Sequence, residues 1–113
     1  MDAIFIELPA FERNRERYLD DYAYSELQAE MMRNPFAGDV VEATGGLRKL
    51  RFGDLRRGKG KRSGLRVIYY YWIGGPQFWL YTLYGKDEAV DLSFGHRTAL
   101  RSLLKNELKS RTG

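Results

Sequence analysis

The chain has 113 residues, 43% hydrophobic and 30% charged, with two Trp, eight Tyr and six Phe, which is the composition of a folded chain with one core and one domain over residues 1–113. It has no cysteine, which excludes a disulfide framework, a thiol nucleophile and a thiolate metal site; no stretch is apolar enough for a bilayer span or signal peptide, so a cytoplasmic, membrane-free protein is expected. The net charge of +4 is concentrated: residues 1–46 carry four basic and ten acidic groups, residues 47–66 nine and one, and the remainder six and four.

Taken in chain order, Ala3–Leu8 is short, apolar and β-branched and reads as a strand, after which Pro9 suits the first turn of a helix. Tyr18, Leu19, Tyr22, Leu27 and Met31 recur at near-helical spacing. They predict a helix or kinked pair that ends at Asn34, because Pro35 disfavours the α conformation before it. Ser25 with Gln28 has the spacing of a capping box, which places a break between Asp20 and Ser25. "DVVEAT" is a short strand candidate, and Gly45-Gly46 is a turn that opens a longer strand over Leu47–Phe52. A Gly-rich basic loop, Gly53–Gly64, follows. Leu65–Trp72 and Phe78–Tyr84 are aromatic and β-branched runs joined through Ile73-Gly74-Gly75-Pro76, a hairpin signal. Both runs are apolar on both faces, which puts them in the centre of the sheet.

Ser93 is an N-cap candidate for a last helix, with His96, Leu100, Leu103, Leu104 and Leu108 on one stripe and Arg97, Arg101, Lys105 and Lys109 outside it. The expected fold is α+β: a small antiparallel sheet, an N-terminal helix or helix pair and a C-terminal helix, with the helices on one face.

Strand alternation puts Lys49 and Arg51 on one face and Leu50 and Phe52 on the other. If the two flanking strands pair across the basic loop, Arg66 stands close to Arg51. Like charges gathered on one patch repel, so the patch points to an anionic ligand; a solvated loop kept soluble by its charges is the plainer explanation of the loop itself. "GKGKRSG" fails the phosphate-loop test because it opens a strand rather than a helix and lacks the Walker spacing. A single His and no Cys give no metal set and no acyl-transfer triad, so no metal and no cofactor are expected. What remains is a cationic, aromatic-flanked sheet surface suited to RNA, with Tyr84 at a strand end as the stacking candidate and the other aromatics as core.

"GGLRKLRF", the basic loop, "SGLRVIYYYW", "YTLYGKDEAVDLS" and the closing amphipathic helix, in that order, resemble the RelE superfamily of bacterial toxin–antitoxin toxins, in particular its HigB-like branch. The resemblance covers nearly the whole chain. It implies a microbial-RNase-like α+β domain, a cognate antitoxin, and entry into the ribosomal A site, where mRNA is cut without a metal. In that reaction the ribose 2′-OH attacks its own 3′-phosphate, which needs a proton acceptor, cations for the developing charge and a donor to the leaving 5′-oxygen.

Matched to the family motifs, Lys49 is the base and Arg51 and Arg66 stabilise the phosphorane, since an Arg is a fixed charge whereas a Lys can give up its proton. Lys86 keeps the family's Lys after the last strand, but Asp87 stands where an Arg is expected, and the late base-stacking Tyr has no match near Leu92. Lys86 and Tyr84 therefore fill those roles by location. Arg48, Arg56, Arg57, Lys59, Lys61 and Arg62 are expected to dock on 16S ribosomal RNA. Two alternatives stay open: a ParE-like DNA gyrase inhibitor of the same fold, and a non-catalytic RNA- or ribosome-binding module.

Overall fold

Local sequence sets each element of the computed structural model, which describes residues 2–54, 57–88 and 92–112. The order is β1 (Ile4–Glu7), α1 (Pro9–Tyr18), α2 (Asp21–Arg33), β2 (Asp39–Val40), β3 (Arg48–Phe52), β4 (Leu65–Trp72), β5 (Gln77–Gly85) and α3 (Phe94–Thr112). Pro9 opens α1, where its missing N–H costs nothing. The predicted break falls at Leu19–Asp20, and the cap is Asp20, whose Oδ1 accepts from the Ala23 amide at 2.8 Å. Ser25, the expected capping-box residue, lies inside α2 instead. The helix ends at Asn34, before Pro35. Ser93 caps α3 through its Oγ, which accepts from the His96 amide at 3.1 Å.

The sheet has the order β1-β5-β4-β3-β2. Strands β2 to β5 form an antiparallel meander, while β1 runs parallel to β5, Ile4 opposite Gln77 and Glu7 opposite Leu80. The sheet is thus mixed at one edge, a feature that hydrophobic period does not encode. The β4–β5 pair is interior, as its two-sided apolar character required. Tyr81 is the extra residue of a bulge that shifts the register between Ile68 and Tyr69.

Helices cover both faces of the sheet, not one. On the first face Phe11, Leu19, Leu27 and Met31 of the α1–α2 segment pack on Leu50, Leu65, Val67, Tyr69, Phe78 and Leu80. On the second, Leu100 and Leu104 of α3 pack on Leu47, Ile68, Trp79 and Tyr81. Val67 and Ile68, neighbours on one strand, lie under different helices, which is why both faces of β4 are apolar. His96 is exposed and Leu103 is 52% exposed, so the buried stripe of α3 is narrower than its sequence pattern. Of "DVVEAT" only Asp39–Val40 pairs as a strand. Thr44 then closes the turn, its hydroxyl donating to the Val41 carbonyl and accepting from the Leu47 amide.

Gly64 sits where the basic loop rejoins the sheet. A Cβ there would lie 2.5 Å from the Phe52 carbonyl oxygen and 2.6 Å from that of Gly60, both backbone. Gly64→Ala is therefore expected to destabilise the fold by about 2 kcal/mol, read as a lowered thermal midpoint; an unchanged midpoint contradicts this packing.

Candidate cationic site

Strand register assembles the site. Arg51 is the partner of Arg66 across β3–β4, and Arg66 is the partner of Tyr84 across β4–β5. Lys49 lies two residues from Arg51 and opposite Ile68, whose side chain belongs to the α3-side core. Lys49, Arg51, Arg66 and Tyr84 thus share the α3 face. The Val41 amide donates to the Leu47 carbonyl, so the odd-numbered residues of β3 hydrogen-bond toward β2. Arg51 and Arg66 are consequently a non-hydrogen-bonded pair, the arrangement that brings opposing side chains closest. Like charges in that position repel.

The two arginines differ in setting. Arg51 is exposed and has no hydrogen-bond or ion-pair partner among the described residues. Arg66 is 4% exposed. Its Nη1 donates to the carbonyls of Lys61 (3.0 Å) and Leu65 (3.1 Å), and its Nη2 to that of Arg62 (2.8 Å). Burial, then the charge of Arg51, hold its pKa below the ordinary value, against an opposing pull from Tyr84. Arginine stays protonated in proteins, so the cost appears as a charge that needs its three carbonyls. Arg66 is a brace for the basic loop as well as a member of the cationic row.

Most of the loop cations are held by carboxylates. Arg57 pairs with Asp54 at 3.6 Å, Asp87 at 3.3 Å and Glu88 at 3.8 Å. Lys59 pairs with Asp87 at 2.9 Å and Lys61 with Glu30 of α2 at 3.1 Å. Glu88 also accepts from the Tyr18 hydroxyl at 2.6 Å and pairs with Arg17. Within the loop Asp54 and Lys59 form a β-bridge. The hydrogen bond from Lys59, foremost, and the charges of Lys59 and Arg57 hold the Asp87 carboxyl below its ordinary 3.8. A depressed carboxyl pKa favours the paired form above the ordinary value, a preference lost as pH falls through the lowered one, so the clasp is intact at neutral pH and opens in acid below 3.8. Because these pairs are exposed, Asp87→Asn is expected to leave the unfolding midpoint unchanged. It should speed hydrogen exchange at the Lys59 amide, which donates to the Asp54 carbonyl; unaltered exchange there means the clasp does not hold the loop.

The remaining site residues of the sequence reading are dispersed. Arg48 alternates onto the α1–α2 face, where its Nη1 donates to the carbonyls of Phe36 and Gly38 and its guanidinium lies over the Phe36 ring. With the Tyr69 hydroxyl, which donates to the carbonyls of Pro35 and Ala37, it braces the entry to β2. The ring of Tyr84 packs into the α3-side core and its hydroxyl is buried. Lys86 follows β5 directly, its amide donating to the Gly64 carbonyl, and its side chain has no ion pair among the described residues. Arg62 is exposed. Arg56 lies outside the described residues. The residues that the sequence did not single out as partners of the loop are the clasping acids Glu30, Asp54, Asp87 and Glu88; an excess of acid in the first segment hints at Glu30 alone.

Beside β3, where the two-residue β2 stops short, a recess of about 310 Å³ is lined by Glu30, Asp39, Lys49, Leu50, Arg51 and Lys61. It offers cations and carboxylates together, the groups needed to hold a phosphate and move a proton. Among the described residues no three His, Asp or Glu side chains gather as a metal set, and no helix is long and apolar enough to cross a membrane. No protein-family model matches the chain.

Proposed function

We propose that the protein is the toxin of a type II toxin–antitoxin system, a RelE/HigB-like endoribonuclease that cuts mRNA in the ribosomal A site. The observation that carries this reading is the facing of Arg51, exposed, and Arg66, buried behind it, on the α3 face of the sheet with Lys49 beside them. Such a row of like charges is costly without an anion and suited to the dianionic phosphorane of a 2′-OH attack. Lys49 accepts the hydroxyl proton as the 2′-oxygen bonds to phosphorus. Arg51 contacts the phosphate oxygens, and Arg66, already committed to the loop, contributes a fixed positive field. Lys86 returns a proton to the leaving 5′-oxygen, and the products are a 2′,3′-cyclic phosphate and a 5′-hydroxyl.

The same clasping of Arg66 also favours a second reading, in which the row is scaffold and the protein binds RNA, or gyrase in the ParE manner, without chemistry. A translation reaction with purified ribosomes and a defined message, mapped by primer extension, separates the two. Cuts confined to ribosome-bound message support the nuclease. Growth arrest on expression with no cuts overturns it and directs the next assay to gyrase supercoiling.

A further inference from the structure

With Arg57, Lys59 and Lys61 engaged by carboxylates, the loop is not the largest uncommitted source of positive charge. That source is α3. Arg101, Lys105 and Lys109 are exposed and have no hydrogen-bond or ion-pair partner among the described residues. They recur every fourth residue on one flank, about 6 Å apart along the axis. Each is followed by an exposed small polar residue, Ser102, Asn106 and Ser110 in turn. The one acid of α3, Glu107, is paired with Arg111 at 3.1 Å.

Next to this row is a recess of about 270 Å³ between the helix and the Thr44–Gly45 turn, with Arg101 and Lys105 beside Leu104 and Leu108. Gly45 has φ +82, and a Cβ there would stand 3.9 Å from Arg101 Cγ, so the turn lies against the arginine stem and leaves its head at the rim.

We infer that this flank of α3 is a docking strip for an RNA phosphate backbone, separate from the row on β3 and β4. Arg101, Lys105 and Lys109 neutralise phosphates, and Ser102 and Asn106 supply uncharged hydrogen bonds to the same oxygens. Arg and Lys alternating with Ser and Asn is the chemistry of backbone contact. A protein partner asks instead for several apolar anchors in a surface depleted of Lys; of the exposed apolar residues of α3, Leu103 falls on the opposite flank by the helical period and Phe94, two turns before Arg101, is a single ring on the strip's own flank. That the nucleic acid is RNA rests on the function proposed above; the strip itself does not require cleavage.

The test is binding of a short fluorescein-labelled RNA duplex by fluorescence anisotropy between about 50 and 200 mM salt. Arg101→Ala with Lys105→Ala is expected to weaken binding about tenfold and to flatten the plot of log K against log salt by about two. The unfolding midpoint should not move, since both side chains are exposed. Lys59→Ala with Lys61→Ala, which removes cations already paired, should change the slope less. The inference is overturned if wild-type protein does not bind the duplex, or if the α3 variant binds it with wild-type affinity and slope. It is overturned equally if the variant loses labelled poly-glutamate but not RNA, which would assign the strip to an acidic protein. Intact duplex binding with no cleavage of ribosome-bound message would remove the nuclease reading and leave this one standing.

Discussion

Replacing Arg66 with Ala should lower the unfolding free energy by about 2–4 kcal/mol, which makes it the most damaging change in the cationic row. The guanidinium is almost fully buried and ties three carbonyls of the loop and its junction to the sheet, those of Lys61, Arg62 and Leu65. Truncation removes those charge-assisted bonds and empties the space the side chain filled. Relief of repulsion with Arg51 and regained hydration of the exposed loop carbonyls offset part of the loss. Arg66→Met, which keeps the stem volume without the donors, should recover only the packing share. Urea denaturation reads both variants, and a shift below about 0.5 kcal/mol for Arg66→Ala would mean that the three bonds contribute nothing net.

Arg51→Ala should behave oppositely. The side chain is exposed and, among the described residues, holds nothing in place, so stability should be unchanged or slightly raised as the like-charge pair is dissolved. Cleavage of ribosome-bound message should fall about 10²–10³-fold, the usual loss when one donor to a developing oxyanion is removed. Arg51→Lys keeps the charge and loses the planar fork, so it should recover only part of the rate. The pairing of an unaltered midpoint with a large rate loss separates a catalytic cation from a brace. Full activity in Arg51→Ala would remove Arg51 from the chemistry.

Much of this arrangement is legible in the sequence. The two-sided apolar runs of β4 and β5 could only be interior, Pro9 and Pro35 marked the limits of the helical segment, and alternation placed Lys49 with Arg51. The facing of Arg51 and Arg66 followed from pairing the strands that flank the loop. What was hidden depends on tertiary direction. The parallel pairing of β1 leaves no trace in a strand of four residues, and period alone does not say on which side of the sheet a helix comes to rest. An apolar second face on β4 already required a second cover, and α3 provides it.

The basic loop shows a different kind of gap. A count of cations suggests a surface waiting for phosphate, yet Arg57, Lys59 and Lys61 meet Asp87, Glu88 and Glu30. The partners come from α2 and from the turn after β5, far away in sequence, so neither local composition nor spacing announces them. An exposed ion pair of this kind adds little to stability, but it shapes the loop and neutralises part of its charge. Among the described residues, Arg51 on the sheet, Lys86 after β5 and Arg101, Lys105 and Lys109 on α3 are cations left without a carboxylate.

The most direct test of the central claim is the chemistry of the cut ends. Message cleaved on purified ribosomes by the wild-type protein should end in a 2′,3′-cyclic phosphate, with a 5′-hydroxyl on the downstream fragment, as read by mass spectrometry of the terminal oligonucleotides. Fragments ending in a 3′-hydroxyl with a 5′-phosphate would show that water, not the neighbouring ribose, attacked the phosphorus, and would contradict the account.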